Sequence, residues 1–318
     1  MYKFENRGHV KRYYAADRLQ EIANVRGGGY KEYRRLWDNP EIVANTLDKP
    51  LEVMLELTSW CNYCCKMCLK AFHPDKERIN IPLEQVEKLA HDINELSVSS
   101  LWVGAGSECL IHPEIEKILD VLGTVKVEDF TLLTNGSRLT ESIAKKTIAA
   151  GVTRLTISLD AVKPETYKTI RGGNLAKVEE NINRFLELRG DALFPSLRVS
   201  FCMQEDNADE KEEFLQHWQG KADIIDFQEL VDYSEFDAMV DIGDNEYKKD
   251  CIEPFRRIYV KYDGQVVPCC NGFGDYLSLG NIEGSSLKDM WTGEKIESLR
   301  AALRAGNYPK PCRNCRKL

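Results

Sequence analysis

Leu51-Glu52-Val53-Met54-Leu55-Glu56-Leu57, followed shortly by Cys61-Asn62-Tyr63-Cys64-Cys65-Lys66-Met67-Cys68, is the stretch that decides how this chain is read. The first segment alternates apolar and acidic side chains, the pattern of a β-strand. The second is a cysteine loop at the strand's C-terminal end. Taken as Cys61, Cys65 and Cys68, the spacing is C-x3-C-x2-C. Three thiolates so placed can hold three irons of a [4Fe–4S] cube and leave the fourth iron open. The alternative is a zinc knot with Cys64 or His73 as fourth ligand, although structural zinc sites usually pair their ligands as C-x2-C. Cys64, Cys109 and Cys202 read as packed thiols.

Outward from this loop, strand and helix patterns alternate. Val86, Leu89, Ala90, Ile93 and Leu96 recur at helical spacing. Further strands are expected at Leu101-Trp102-Val103, Phe130-Thr131-Leu132-Leu133, residues 154–159, Leu197-Arg198-Val199-Ser200-Phe201 and Ile224-Ile225-Asp226-Phe227. Helices are expected from Pro113, over about residues 141–150, up to about residue 188, and near residues 210–218. Strands alternating with helices predict an α/β fold with a parallel sheet or partial (β/α)6 TIM-like barrel, its chemistry at the strand C-termini. After about residue 236 the pattern changes. Ile258-Tyr259-Val260-Lys261-Tyr262, Asp263-Gly264 and Gln265-Val266-Val267 read as a β-hairpin, and one helix is expected over about residues 287–304. Three segments follow: a basic, mainly helical extension at 1–50, a barrel core at 51–235, and a small α+β domain at 236–318. The extension holds the breaker Gly27-Gly28-Gly29 and no strand pattern. It reads as an arm packed on the core, or as a strap over the active site or a contact for an anionic substrate.

Composition narrows the function classes. The net charge of the 318 residues is −8. Residues 1–36 hold nine Lys/Arg against four Asp/Glu, +5, so the remainder is −13. An acidic body argues against nucleic acid as partner. No stretch approaches the length of a membrane span, and the N-terminus lacks a signal-peptide core, so the expected location is cytoplasmic. There, clustered cysteines more often bind metal than form disulfides.

With the cysteine loop on the first barrel strand, the chain resembles the radical S-adenosylmethionine (SAM) superfamily. Gly106-Ser107-Glu108-Cys109 stands where that family usually has Gly-Gly-Glu-Pro; Ser107 and Cys109 depart and the Glu is kept. Thr134-Asn135-Gly136 and Ile157-Ser158-Leu159-Asp160 also match, as does Tyr167-Lys168-Thr169-Ile170-Arg171-Gly172. The resemblance implies that Glu108 and nearby backbone hold the SAM amino group. It implies that Ser158 and Arg171 contact the carboxylate or ribose, with Asn135 and Met67 nearby, and that Leu230 and Val231 pack on adenine. Arg suits a carboxylate because its planar fork meets both oxygens.

The second cysteine group is Cys251, Cys269, Cys270, Cys312 and Cys315. It resembles the twitch form of the SPASM extension, which implies one auxiliary [4Fe–4S] cluster on Cys251, Cys269, Cys312 and Cys315. A four-cysteine zinc ribbon and Cys270 as ligand in place of Cys269 stay open. The resemblance implies reductive SAM cleavage to a 5′-deoxyadenosyl radical and hydrogen-atom abstraction from a small-molecule substrate. It also implies an electron donor such as flavodoxin or ferredoxin. A closed second cluster suits an electron acceptor. The first expectation is therefore an oxidoreductase acting on a sugar, cyclitol or sugar-nucleotide. The alternatives are a peptide-modifying enzyme, an epimerase with Cys270 as hydrogen donor, and an electron carrier or scaffold without catalysis.

Overall fold

A computed structural model describes residues 2–7, 10–39, 41–43, 48–72, 74–75, 77–230, 251–269 and 277–313. Six strands run parallel: β3 (Glu52–Leu55), β4 (Ser100–Val103), β5 (Asp129–Thr134), β6 (Arg154–Ser158), β7 (Ser196–Met203) and β8 (Ile224–Glu229). They match the expected strands in order, and a helical connection lies between each consecutive pair. Among the described residues the sheet has eleven strands, ordered from β1 at one edge to β11 at the other, and the barrel is unclosed.

The strands' outward residues, among them Val53, Leu55, Leu101, Val103, Leu132, Leu155, Ile157, Leu197 and Val199, are buried with the helices in one core. The period of two puts their neighbours on the inner face. That face is polar at its N-terminal end: Glu52, Ser100, Asp129, Arg154, Arg198 and Asp226.

The C-terminal hairpin forms as expected. β9 (Arg257–Val260) pairs parallel to β3 and antiparallel to β10 (Gln265–Val267), so the small domain extends the barrel sheet, with β11 (Gly280–Asn281) at its edge. The single expected helix is two, Leu287–Thr292 and Glu294–Arg304. The chain is extended at Gly293 between them (φ −75°, ψ 164°).

The N-terminal segment differs from expectation. β1 (Tyr2–Arg7) and β2 (Val10–Ala15) pair antiparallel, and β2 pairs antiparallel with β8. Helices Ala16–Val25 and Gly27–Trp37 follow. The expected break falls at the start of the triple glycine, where Gly27 is left-handed (φ +70°) between the two helices, and Gly28 and Gly29 continue into the second. The Glu128 carboxylate lies close over Gly29, in the place a Cβ would take.

The basic charge of this segment is spent on the barrel's N-terminal end. Arg12 bonds Asp226 with both Nε and Nη2 (2.7 Å each), Arg18 pairs with Asp223, and Arg26 Nη1 reaches Asp129 at 3.1 Å. Burial raises the Asp129 carboxyl, but Arg154 and Arg26 outweigh it and hold the group below its ordinary range. Arg18 and Arg26 thus lie at the end of the barrel opposite the strand C-termini, while the β1–β2 pair runs along β8 with Val10 beside Gln228 near that strand's C-terminal end.

Candidate active site

The cysteine loop leaves the C-terminal end of β3 and is seated on helix Pro164–Arg171. Lys66 N donates to the Ile170 carbonyl (3.0 Å). The Tyr63 ring meets Tyr167 edge-on at 6.3 Å and lies so close over Gly173 that any Cβ there would clash. Cys61, Cys65 and Cys68 line one cavity of about 340 Å³ with Cys64, Gly104, Gly106, Glu108, Asn135, Ser158 and Arg171. The structure thus brings the three cysteines together with four of the seven residues assigned to SAM. Met67 is half-buried on the loop and does not line the cavity, and Leu230 is 43% exposed beyond β8 and away from it. Val231, His73, Cys270 and Cys315 lie outside the described residues.

Glu108 is buried, and its carboxylate is largely taken. Oε1 accepts from Thr134 Oγ1 (2.6 Å) and Leu110 N (3.1 Å), and Oε2 from Asn135 N (2.6 Å). The side chain therefore clips the loop after β4 to the end of β5. Burial pushes its carboxyl above the ordinary value, with the three donors opposing. The two residues that depart from the family pattern also serve this wall. The Ser107 hydroxyl donates to the Thr58 carbonyl, and the buried Cys109 thiol points at the Leu133 carbonyl (3.2 Å).

Around the sulfurs the donors are specific. Cys61 Sγ receives Tyr63 N (3.4 Å) and Asn135 Nδ2 (3.9 Å). Arg171 binds Asp160 Oδ2 through Nε (2.8 Å) and Nη2 (2.6 Å) and extends Nη1 to Cys65 Sγ (3.7 Å). Burial raises the Cys61 thiol to about 11, and burial raises Cys65 while Arg171 lowers it. Such thiols become thiolates only when cationic charge is added, as a cluster supplies. Among the described residues no three Cys, His, Asp or Glu side chains converge to hold one metal ion. A cube spreads its ligands over separate irons, so the loop fits a cluster better than a mononuclear zinc site.

The cavity's other wall was not anticipated. Lys70 and Asp75 line it. Lys70 Nζ donates to the Ser59 carbonyl (2.9 Å), pairs with Asp75, and lies 3.1 Å from Glu56 Oε1. Tyr262, in the C-terminal hairpin turn, donates to Asp75 Oδ1 (2.5 Å). Glu56 is buried behind Gly106, whose φ of +87° and proximity to Glu56 and Tyr259 exclude a side chain. Burial pushes the Glu56 carboxyl up to about 7 against the pull of Lys70. The available signal was the alternation itself, which sets Glu52, Met54 and Glu56 on the barrel's inner face.

In the C-terminal domain, Cys251 precedes helix Glu253–Arg256, Cys269 follows β10, and Cys312 lies in the turn Lys310–Arg313. Cys312 packs on the cluster of Tyr33, Leu51, Phe255 and Leu299.

With this geometry in hand, the model of the radical SAM superfamily matches residues 55–217. The chain belongs to the radical SAM superfamily. A second model, the SPASM iron–sulfur cluster-binding domain, matches residues 251–316. The cofactors of this radical SAM protein are accordingly SAM and [4Fe–4S] clusters, one of them auxiliary. A GTP 3′,8-cyclase of Syntrophomonas wolfei is 28% identical over 246 residues, 73% of this chain and 70% of its own. A second, from Marinobacter nauticus, is 28% identical over 208 residues, 63% of this chain and 61% of its own. The tungsten-containing aldehyde ferredoxin oxidoreductase cofactor-modifying protein of Pyrococcus furiosus is 24% identical over 82% of this chain and 86% of its own. Among solved structures, BtrN in complex with AdoMet and 2-DOIA aligns at TM-score 0.58 and 16% identity, covering 85% of this chain and 94% of that one. SuiB of Streptococcus suis bound to precursor peptide SuiA aligns at TM-score 0.61 and 15% identity, covering 81% and 68%. These likenesses establish the fold. Among the described residues no helix is long and apolar enough to cross a membrane.

Proposed function

We propose that this enzyme oxidises a hydroxylated, phosphate-free small molecule of the sugar or cyclitol kind. Cys61, Cys65 and Cys68 would hold the open cluster, and Cys251, Cys269, Cys312 and Cys315 the auxiliary one. Flavodoxin or ferredoxin would supply electrons. When bound, the open cluster supplies the electron that splits SAM to methionine and a 5′-deoxyadenosyl radical, which takes a hydrogen atom from the substrate.

The observation that supports the substrate class is the state of the two cations that line the cavity among the described residues. Lys70 is shared by Glu56, Asp75 and the Ser59 carbonyl, and Arg171 is bound by Asp160. A triphosphate needs uncommitted Arg or Lys to meet its charge. This argues against GTP, on which the cyclases act by name, and against the sugar-nucleotide option. A neutral polyol fits a wall of paired charges through hydrogen bonds. Asp75, held by Lys70 and Tyr262 but with its side chain 26% exposed where Glu108 is buried, is the carboxylate proposed to take the hydroxyl proton as the alcohol becomes a carbonyl. Glu108, clipped by three donors, instead holds the Asn135 peptide in place.

A peptide substrate is the second reading. It gains from the N-terminal hairpin, because among the described strands β1 pairs only with β2, and an extended peptide can add to such an edge. The epimerase reading depends on Cys270, outside the described residues. The test is anaerobic incubation of the reconstituted enzyme with SAM and dithionite against cyclitols, free sugars, GTP and peptides. Substrate-dependent 5′-deoxyadenosine with a product lighter by two hydrogens is expected from a cyclitol or sugar. Conversion of GTP or of a peptide instead would overturn the assignment.

A further inference from the structure

We propose that Asp160 and Arg171 form a fixed charge pair aimed at the Cys65 sulfur, and that this pair sets the reduction potential of the cluster held there. The proposal uses the cysteine assignment above and is independent of the substrate. Arg171 is 8% exposed and ends the helix that seats the cysteine loop. Its guanidinium cannot swing away, because Nε and Nη2 both hold Asp160 Oδ2 while Nη1 faces Cys65.

Asp160 is itself locked in place. It has φ +66°, a left-handed conformation uncommon for a residue other than glycine. The conformation is held from several sides. Oδ1 accepts from Cys202 N (2.7 Å), the carbonyl accepts from Asn207 Nδ2 (2.9 Å), and the backbone N donates to Ser200 O (3.3 Å). Backbone strain kept by surrounding bonds is a mark of a functional position. Here it delivers the carboxylate to the far side of the guanidinium, so the positive end of the pair faces the sulfur. Cys61, by contrast, meets neutral donors, Tyr63 N and Asn135 Nδ2.

Reduction adds a negative charge to a cluster, so a nearby cation and an N–H···S contact both favour the reduced form. A cationic nitrogen 3.7 Å from the sulfur acts directly on a charge added to the cluster. Asp160 cancels part of this. Removing Arg171 should therefore make reduction harder, and removing the Asp160 charge should make it easier.

The experiment is an EPR-monitored redox titration of the reconstituted full chain, with iron content measured first. The signal that changes on adding SAM identifies the open cluster. Arg171→Gln should lower the one-electron reduction equilibrium by about tenfold, ~59 mV. Asp160→Asn should raise it by a similar factor, and Arg171→Lys should fall between Arg171→Gln and wild type. Unchanged potentials in both charge-removing variants, or shifts of the same sign, would overturn the proposal, since a purely structural role does not reverse sign. If Arg171→Gln fails to load the open site, the near-isosteric Asp160→Asn decides: a raised potential supports the proposal and an unchanged one overturns it. A wild-type chain without any SAM-responsive cluster would instead overturn the cysteine assignment.

Discussion

Replacing Glu56 by Gln should change how stability depends on pH, because this carboxylate is buried against a lysine it must share. Glu56 is 3% exposed, and burial raises its carboxyl from 4.5 to about 7 despite Lys70 at 3.1 Å. A folded-state value above the unfolded one means that the folded chain holds the proton more tightly. The stabilisation is complete below about pH 4.5 and is lost as pH rises through about 7. At ~1.4 kcal/mol per unit, the loss across that window is about 3 kcal/mol. Glu56→Gln keeps the shape and removes the titration. Wild type and variant should be nearly equally stable near pH 4, already differ by about 1.4 kcal/mol at pH 5.5, and reach a difference of about 3 kcal/mol at pH 8.5, with the variant the more stable. In a chain of this size that is about 4 to 5 °C in melting temperature. The assay is thermal unfolding by circular dichroism on both proteins at one scan rate across that range. Melting curves that keep a constant separation at every pH would refute the reasoning, because they would mean that Glu56 is ionised, or neutral, throughout.

Changing Cys61, Cys65 and Cys68 together to Ala should remove about half of the bound iron and abolish SAM cleavage while the auxiliary cluster remains; iron analysis with a 5′-deoxyadenosine assay checks both. Glu108→Gln should weaken SAM binding, read by equilibrium dialysis, through displacement of the Asn135 peptide, whose N–H now bonds Oε2 at 2.6 Å; an unchanged affinity would remove Glu108 from the binding wall. Arg26→Ala should cost about 3 kcal/mol, since it strips one partner from a buried pair, and adding Asp129→Asn should recover part of that in the same melting assay. Cys312→Ala with Cys315→Ala, once shown to be folded, should still cleave SAM but yield no oxidised product; full product formation would exclude the auxiliary cluster as obligatory electron acceptor.

The parallel core could be read from sequence because its determinants are local. Each strand is a short apolar run with a helical repeat beside it, and the cysteine loop follows the first strand directly. The site residues drawn from short motifs, Glu108, Asn135, Ser158 and Arg171, come to one cavity because each motif sits at a strand end or just beyond. Asp160 stood in the quoted motif, yet its role depends on a left-handed backbone and on Cys202 and Asn207, far along the chain. Lys70, Asp75 and Tyr262 are ordinary surface residue types in sequence. They become a wall only when the C-terminal hairpin extends β3 and brings Tyr262 to Asp75. The N-terminal hairpin escaped for a similar reason. Lys3, Arg12 and Tyr14 carry no clean alternation, and β2 is a strand because β8 offers it an edge.

The charge asymmetry finds its explanation in the same segment. An N-terminus of +5 on an acidic body invites an anion-binding reading, yet three of its arginines meet buried aspartates on β5, β8 and the turn before β8. On the inner face the pairing continues: Asp226 also holds Arg198, and Asp129 also holds Arg154. Burial alone would drive Arg198 down, and does so to about 10 even with Asp226 beside it. Desolvation of this size leaves little net stabilisation, since a buried ion pair roughly breaks even with an apolar one. What the arrangement gives instead is register. β2 can pair with β8 in only one alignment that sets Arg12 opposite Asp226, and a slip of one residue would turn Arg12 to the apolar outer side and leave Asp226 short of a partner. The sheet is thus extended past β8 in a single register, and the cavity lies at the strand C-termini.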